Sequence, residues 1–143
     1  MGHVLKQCIS KQAGADLSTK QFYAGKLDSS GAIVLCDTVG EFVVGIIDNK
    51  PKSGESVSLA VAGVVQVIAG GVIAPNGACK VSATGTMLAA VAGRTDTSDA
   101  GAAADPLLGS HVFGRSMMAA NTANGDIFDM LITREGAIPT TAA

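Results

Sequence analysis

GESVSLAVAGVVQVIAGGVIAPNGACKVSATGT, residues 54–86, decides the fold. Val57, Leu59 and Val61 alternate with Ser56, Ser58 and Ala60, and Val65 and Val67 continue against Val64 and Gln66. That period of two is the signature of half-buried strands rather than helix. Gly63 and Gly70-Gly71 interrupt the apolar runs, and Pro75-Asn76-Gly77 joins a fixed φ to residues that tolerate positive φ. The stretch is therefore expected to be a β-meander with glycine-cornered bends.

Outside that stretch, 143 residues are enough for one ordinary domain. Apolar residues make up 48% of the chain, yet aromatics only 3%, and Trp is absent, so the core must come from Val, Ile, Leu, Met and Ala. A thin core of that kind favours homo-oligomerisation, because a partner subunit covers apolar surface that one chain leaves bare. The formal net charge of −2, with Lys and Arg scattered, lacks the basic stripe of a nucleic-acid binder. No apolar h-region opens the chain and no run approaches the roughly 20 residues of a membrane span, so a soluble protein made in the cytoplasm is expected. Cys8, Cys36 and Cys79 are odd in number and without CxxC spacing, which favours free thiols over disulfides or a zinc site.

In chain order, residues 1–20 show no sustained period and read as an extended N-terminal arm, or equally as a frayed leader with one short edge strand. The β domain is expected over 21–135. It begins with a hairpin, QFYAGKL at 21–27 returning at 32–36, turned by Asp28-Ser29-Ser30-Gly31. EFVVGII at 41–47 is a strand, and Pro51 and Gly54 bound the turn that follows. Residues 86–91 favour a further strand over one turn of helix. Residues 93–109 are a long Ala, Gly and Asp-rich loop without periodicity. SHVFGRSMM at 110–118 and DIFDMLITR at 126–134 are the closing pair, with the turn signal Asn124-Gly125 between them. In the last strand Phe128, Met130 and Ile132 share a face; burial on both sides is expected for part of its length. Residues 136–143 form a tail. The fold class is thus all-β, a compact antiparallel barrel or sandwich-like domain with an arm and one long loop.

Catalysis requires a nucleophile, a base in reach and a group that orients the base. Ser110 and His111 are adjacent, and neighbours on a strand point to opposite faces, so they make a poor dyad. His3 and His111 carry no HxH or HExxH spacing, and no Gly-rich piece has the phosphate-cradling pattern. Asp96, Asp99 and Asp105 lack EF-hand spacing and read as a solvated loop. No catalytic residue, cofactor or metal is expected, and the glycines read as corners of a compact β fold.

The order of the pieces carries a resemblance. Gly45-Ile46-Ile47, then Gly54-Glu55 with Val57, Leu59, Val61, Gly63, Val64, Val65 and Val67, then Ala69-Gly70-Gly71 with Ile73, then Gly77 through Val81 to Thr86, form one half. Gly109 to Met117, Asn124-Gly125-Asp126 and a final strand with Met130, Leu131 and Ile132 form the other. This pattern, over roughly residues 40–134, resembles the small β-rich capsid decoration, or cement, proteins of tailed bacteriophages. The resemblance implies a structural protein on the outside of the expanded head, commonly a homotrimer, bridging and strengthening major capsid protein subunits. It brings no catalytic residues with it, and the charge and hydropathy above argue against a nucleic-acid partner or a membrane. The stretch 93–108 is longer than the link such a protein would have there. The expected capsid-binding residues are Gly2, His3, Val4, Leu5 and Ile9 of the arm, adding a strand edge while their apolar side chains fill pockets. The alternative is a virion-surface module that binds host glycans through the long loop; few aromatic faces are available for it. A small β-barrel hydrolase ranks below both for want of a nucleophile and base.

Overall fold

The structure is a computed structural model and describes residues 6–90 and 111–137. Nine strands make up its regular structure: β1 Lys6–Gln12, β2 Ala24–Leu27, β3 Ile33–Leu35, β4 Gly45–Ile47, β5 Ser56–Ile68, β6 Ala78–Val81, β7 Met87–Ala89, β8 His111–Ser116 and β9 Ile127–Ala137. All strand pairings are antiparallel. The all-β expectation holds, in the form of a strongly curled, barrel-like sheet. No helix is long and apolar enough to cross a membrane among the described residues. The long loop with its aspartates, residues 1–5 and residues 138–143 lie outside the described residues.

β5 is the hub. The sequence suggested a meander broken at Gly63, but β5 runs unbroken through it for 13 residues and does not pair with β6. Its partners are β1, β4 and β9, two of them distant in sequence. Gly63, at φ 94, changes the facing of the strand without ending it. Before it, Val57 and Leu59 lie in one buried cluster with Ala13, Leu17, Ile33 and Ile47. After it, Val65 and Val67 lie in the other, with Ile73, Val81, Met87, Phe113, Phe128 and Met130. Strict alternation would have kept all four on one face. A left-handed residue at this point lets one strand serve two cores.

The strand divides the chain into two modules of one plan. In the first, the order is β1-β5-β4-β2-β3, and Ala13 bridges Ile33 to bring the ends together. In the second, β5 takes the part of β1: the order is β5-β9-β8-β6-β7, and Ala69 bridges Met87. Registers agree pair by pair. Gln12 opposite Ser56 and Ile9 opposite Leu59 recur as Ile68 opposite Ile127 and Val65 opposite Met130. Ala24 opposite Ile46 recurs as Ala78 opposite Arg115. The turns agree as well. Asp28 Oδ1 accepts the N–H groups of Ser30 and Ala32, as Ser82 Oγ accepts those of Thr84 and Thr86. Gly31 and Gly85 close those turns at the same φ of 83. Phe22 and Asn76, both at positive φ, donate their N–H groups to Ile47 and Ser116. Each matching bond recurs on chemically different side chains, so the backbone plan, more than the residues, is what is duplicated.

The segment expected as a free arm is therefore part of the first module. Lys6–Gln12 is hydrogen-bonded to β5 along its length, although every residue of it is exposed. Ala13 and Leu17, inside the same expected arm, are buried and complete the first core. The equally weighted alternative, an edge strand behind a leader, is the nearer description. The expected hairpin is present, shortened: Phe22 and Tyr23 belong to the turn before β2. β9 buries Phe128 and Met130 but leaves Ile127 and Leu131 exposed, so it is covered on one face, not on both.

Candidate interaction surfaces

Among the residues expected to bind a capsid, Gly2, His3, Val4 and Leu5 lie outside the described residues. Ile9 lies on β1 opposite Leu59, exposed, with its backbone committed to β5. Lys6 at the start of the strand is bonded to Asp48 at 2.7 Å, and the Gln12 side-chain amide at its end donates to the Gly54 carbonyl. β1 thus presents side chains on both faces, and it is held by backbone bonds and its two ends.

The two modules meet along a junction that the sequence did not reveal. Ala24, Cys36, Val43, Ile46 and Ala60 of the first module share one buried cluster with the interior of the second. Backbone bonds cross it: the Ala24 N–H donates to the Gly85 carbonyl at 2.8 Å, and the Gly40 N–H to the Val81 carbonyl at 2.9 Å. Glu41 organises the crossing loop. Its carboxylate accepts the N–H groups of Asp37 and Thr38 at 2.7 and 2.8 Å and the Lys26 ammonium at 3.1 Å. Asp37 also binds Lys26, which holds its carboxyl below the usual carboxylate range and the Lys26 ammonium above its ordinary value.

At the edge of the junction lies a cavity of about 90 Å³, lined by Phe42, Val43, His111, Val112, Phe113 and Arg134. Phe42 and Val43 occupy in the first module the places that His111 and Val112 occupy in the second, three and two positions ahead of the matching Gly45 and Gly114. The Phe42 and His111 rings meet edge to face, with centroids 6.0 Å apart. Arg134 closes the wall. Its guanidinium donates to the carbonyls of Val43, Val44 and Val61, at 3.0, 2.7 and 3.1 Å, where β4 and β5 diverge. It also lies 5.0 Å from the Phe113 ring centre and 5.9 Å from that of Phe42. Desolvation lowers its pKa. Arg134 has φ 48 and stands in the second module where Gly63 stands in the first. The arrangement is a clamp: a planar fork gathers three carbonyls, two from the segment entering β4 and one from β5.

The remaining groups offer little reactive chemistry. Cys36 and Cys79 are buried free thiols, each pushed up to about 12 by burial, so they stay protonated near neutral pH. Cys8 is free and exposed on β1. Among the described residues no three His, Cys, Asp or Glu side chains converge as a metal site. Thr122, buried, donates to the Gly71 carbonyl and accepts the Ile73 N–H, both at 2.9 Å, which ties the turn before β9 to the segment after β5.

The fold defined by this geometry is an all-β, antiparallel tandem of two curled modules. No protein-family model matches the chain, and no curated protein matches it in sequence. Among solved structures, the head fiber gp8.5 N base of bacteriophage phi29 is similar, with a TM-score of 0.56 and 15% sequence identity, covering 92% of this chain and 98% of that one. At that identity the likeness is one of fold.

Proposed function

We propose that this chain is a structural protein of a bacteriophage virion, specifically a decoration protein on the outer surface of the expanded head, without an enzymatic role. The observation that carries the reading is the fold likeness to a head fiber base along nearly the full length of both chains. The ordered Gly and Val pattern that resembles cement proteins supports it independently. The partner is the major capsid protein, and the working form is a homotrimer; nucleic acid and membrane are not partners. Contact with the head is made by the segment that precedes β1, Gly2 to Leu5, and by exposed Ile9 beside it. The test mixes the purified chain with expanded heads that lack it, sediments them and counts bound copies per capsid subunit. Saturation at a fixed ratio on expanded but not unexpanded shells is expected; no binding to either shell removes the reading.

One observation favours the second reading, a glycan-binding module. Phe42 holds its ring largely exposed at the mouth of the cavity, the kind of face on which a sugar stacks. A glycan-array signal abolished by Phe42→Ala, with no binding to heads, would replace the capsid reading with this one.

A further inference from the structure

The tandem plan gives each paired strand residue of one module a counterpart in the other, and the counterparts differ most at the two ends of the molecule. Ile9 and Leu27 stand in the first module where Val65 and Val81 stand in the second. Val65 and Val81 are 2% and 0% exposed, because the internal junction covers them; Ile9 and Leu27 are 41% and 44% exposed. At the opposite end Leu131 takes the place of Ala60, and Arg115 that of Ile46. Ala60 is 1% exposed within the junction and Leu131 is 40% exposed.

The hairpin tips repeat the contrast. Gly85 sits so close to the first module that a Cβ there would lie 2.8 Å from Leu35, whereas a Cβ on Gly31 would meet nothing. Both halves of the junction are thus present a second time, one at each end, with Ile9 and Leu27 bare at one and Leu131, beside Arg115, at the other. Exposure of single apolar side chains is common on a protein surface; what marks these is that their counterparts in the other module are covered by the junction. Within the molecule, what covers such a face is another module of the same plan.

We propose that a second copy of this chain covers these faces. The Ile9, Leu27 and Gly31 face of one copy docks on the Leu131 and Arg115 face of the next, repeating between chains the contact made within one. Each copy uses two different faces, so the contact is heterologous, and copies form a closed ring if the rotation permits. Lys11 and Arg115 replace Val67 and Ile46 at the contact, so the contact between chains is more polar than the internal one and forms reversibly. The inference deepens the oligomer part of the proposed function and shares only Ile9 with the capsid part; its test contains no heads, so failure of the one is distinguishable from failure of the other.

The test is sedimentation equilibrium of the full chain, of Leu27→Asp, of Leu131→Asp and of Val72→Asp, a control at an exposed apolar residue outside the contact. Wild type and the control are expected to associate, and each of the other two to remain monomeric. An equimolar mixture of Leu27→Asp and Leu131→Asp is expected to give a dimer and nothing larger, because one intact face of each kind remains. Circular dichroism and thermal unfolding check that each variant is folded, and Ile9→Asp serves if Leu27→Asp is not. A monomeric wild type, an oligomer indifferent to both variants, a mixture that stays monomeric, or a dimer formed by either single variant alone overturns the proposal; the last would mean that a face pairs with itself.

Discussion

Asp28 and Ser82 do one job with different chemistry, and pH separates them. Hydrogen bonds from the Ser30 hydroxyl first, then from backbone N–H groups including Ala32, hold the Asp28 carboxyl below its ordinary value of 3.8. Its contribution to the first hairpin is therefore present above pH 3.8 and lost as pH falls through the folded value. Ser82 has no charge to lose. Amide exchange should show the β2–β3 turn opening in acid before the β6–β7 turn, and Asp28→Ser should remove the difference; equal acid lability of both turns would contradict the account. Gly45 and Gly114 are a second matched pair, each packed against a strand carbonyl, that of Ala60 and that of Leu131. Ala at either should cost about 1–3 kcal/mol in chemical denaturation, since backbone is what must move. Arg134 offers a third comparison. Arg134→Gln strands part of a three-carbonyl clamp and should cost about 1–3 kcal/mol, while Arg134→Lys, a point charge without a fork, should recover only a fraction.

Strands are the scale at which the sequence was most legible. The alternation of Val57, Leu59, Val65 and Val67, the Asp28 to Gly31 turn and the pairing of the last two strands all appear in the structure. What alternation cannot reveal is a change of facing inside a strand. Gly63 looked like a corner because an apolar run stopped there, yet the backbone continues with its sides exchanged. β1 was illegible for a related reason. Its seven residues are exposed on both faces, so no hydrophobic period marks it, and only backbone bonds to β5 define it. A truncation that tests head binding must therefore stop at residue 5. Removal of residues 1–12 should uncover the β5 edge, speed amide exchange over 56–63 and promote aggregation. A fully stable, monodisperse truncated form would show that β1 is dispensable.

Across the molecule, the duplication was hidden because it is carried by positions and hardly by residue types. AGKLDSSGAIVL and ACKVSATGTMLA match in register, but Ile9 answers to Val65, Ser56 to Ile127 and Arg134 to Gly63. The second module also carries residues 91–110 where the first has only the short link at 37–41, which breaks the spacing that a repeat would show. The cavity and its clamp were missed for the same reason, since Phe42, His111 and Arg134 meet only because two modules place them at one edge. The sharing of β5 reaches into synthesis. The first five strands can close while the ribosome is still making the rest, but Ile46 and Ala60 then face water until the remaining four arrive. A chain stalled between β5 and β9 would be half folded and sticky, so this protein depends on finishing translation promptly in a way that two modules joined by a linker would not.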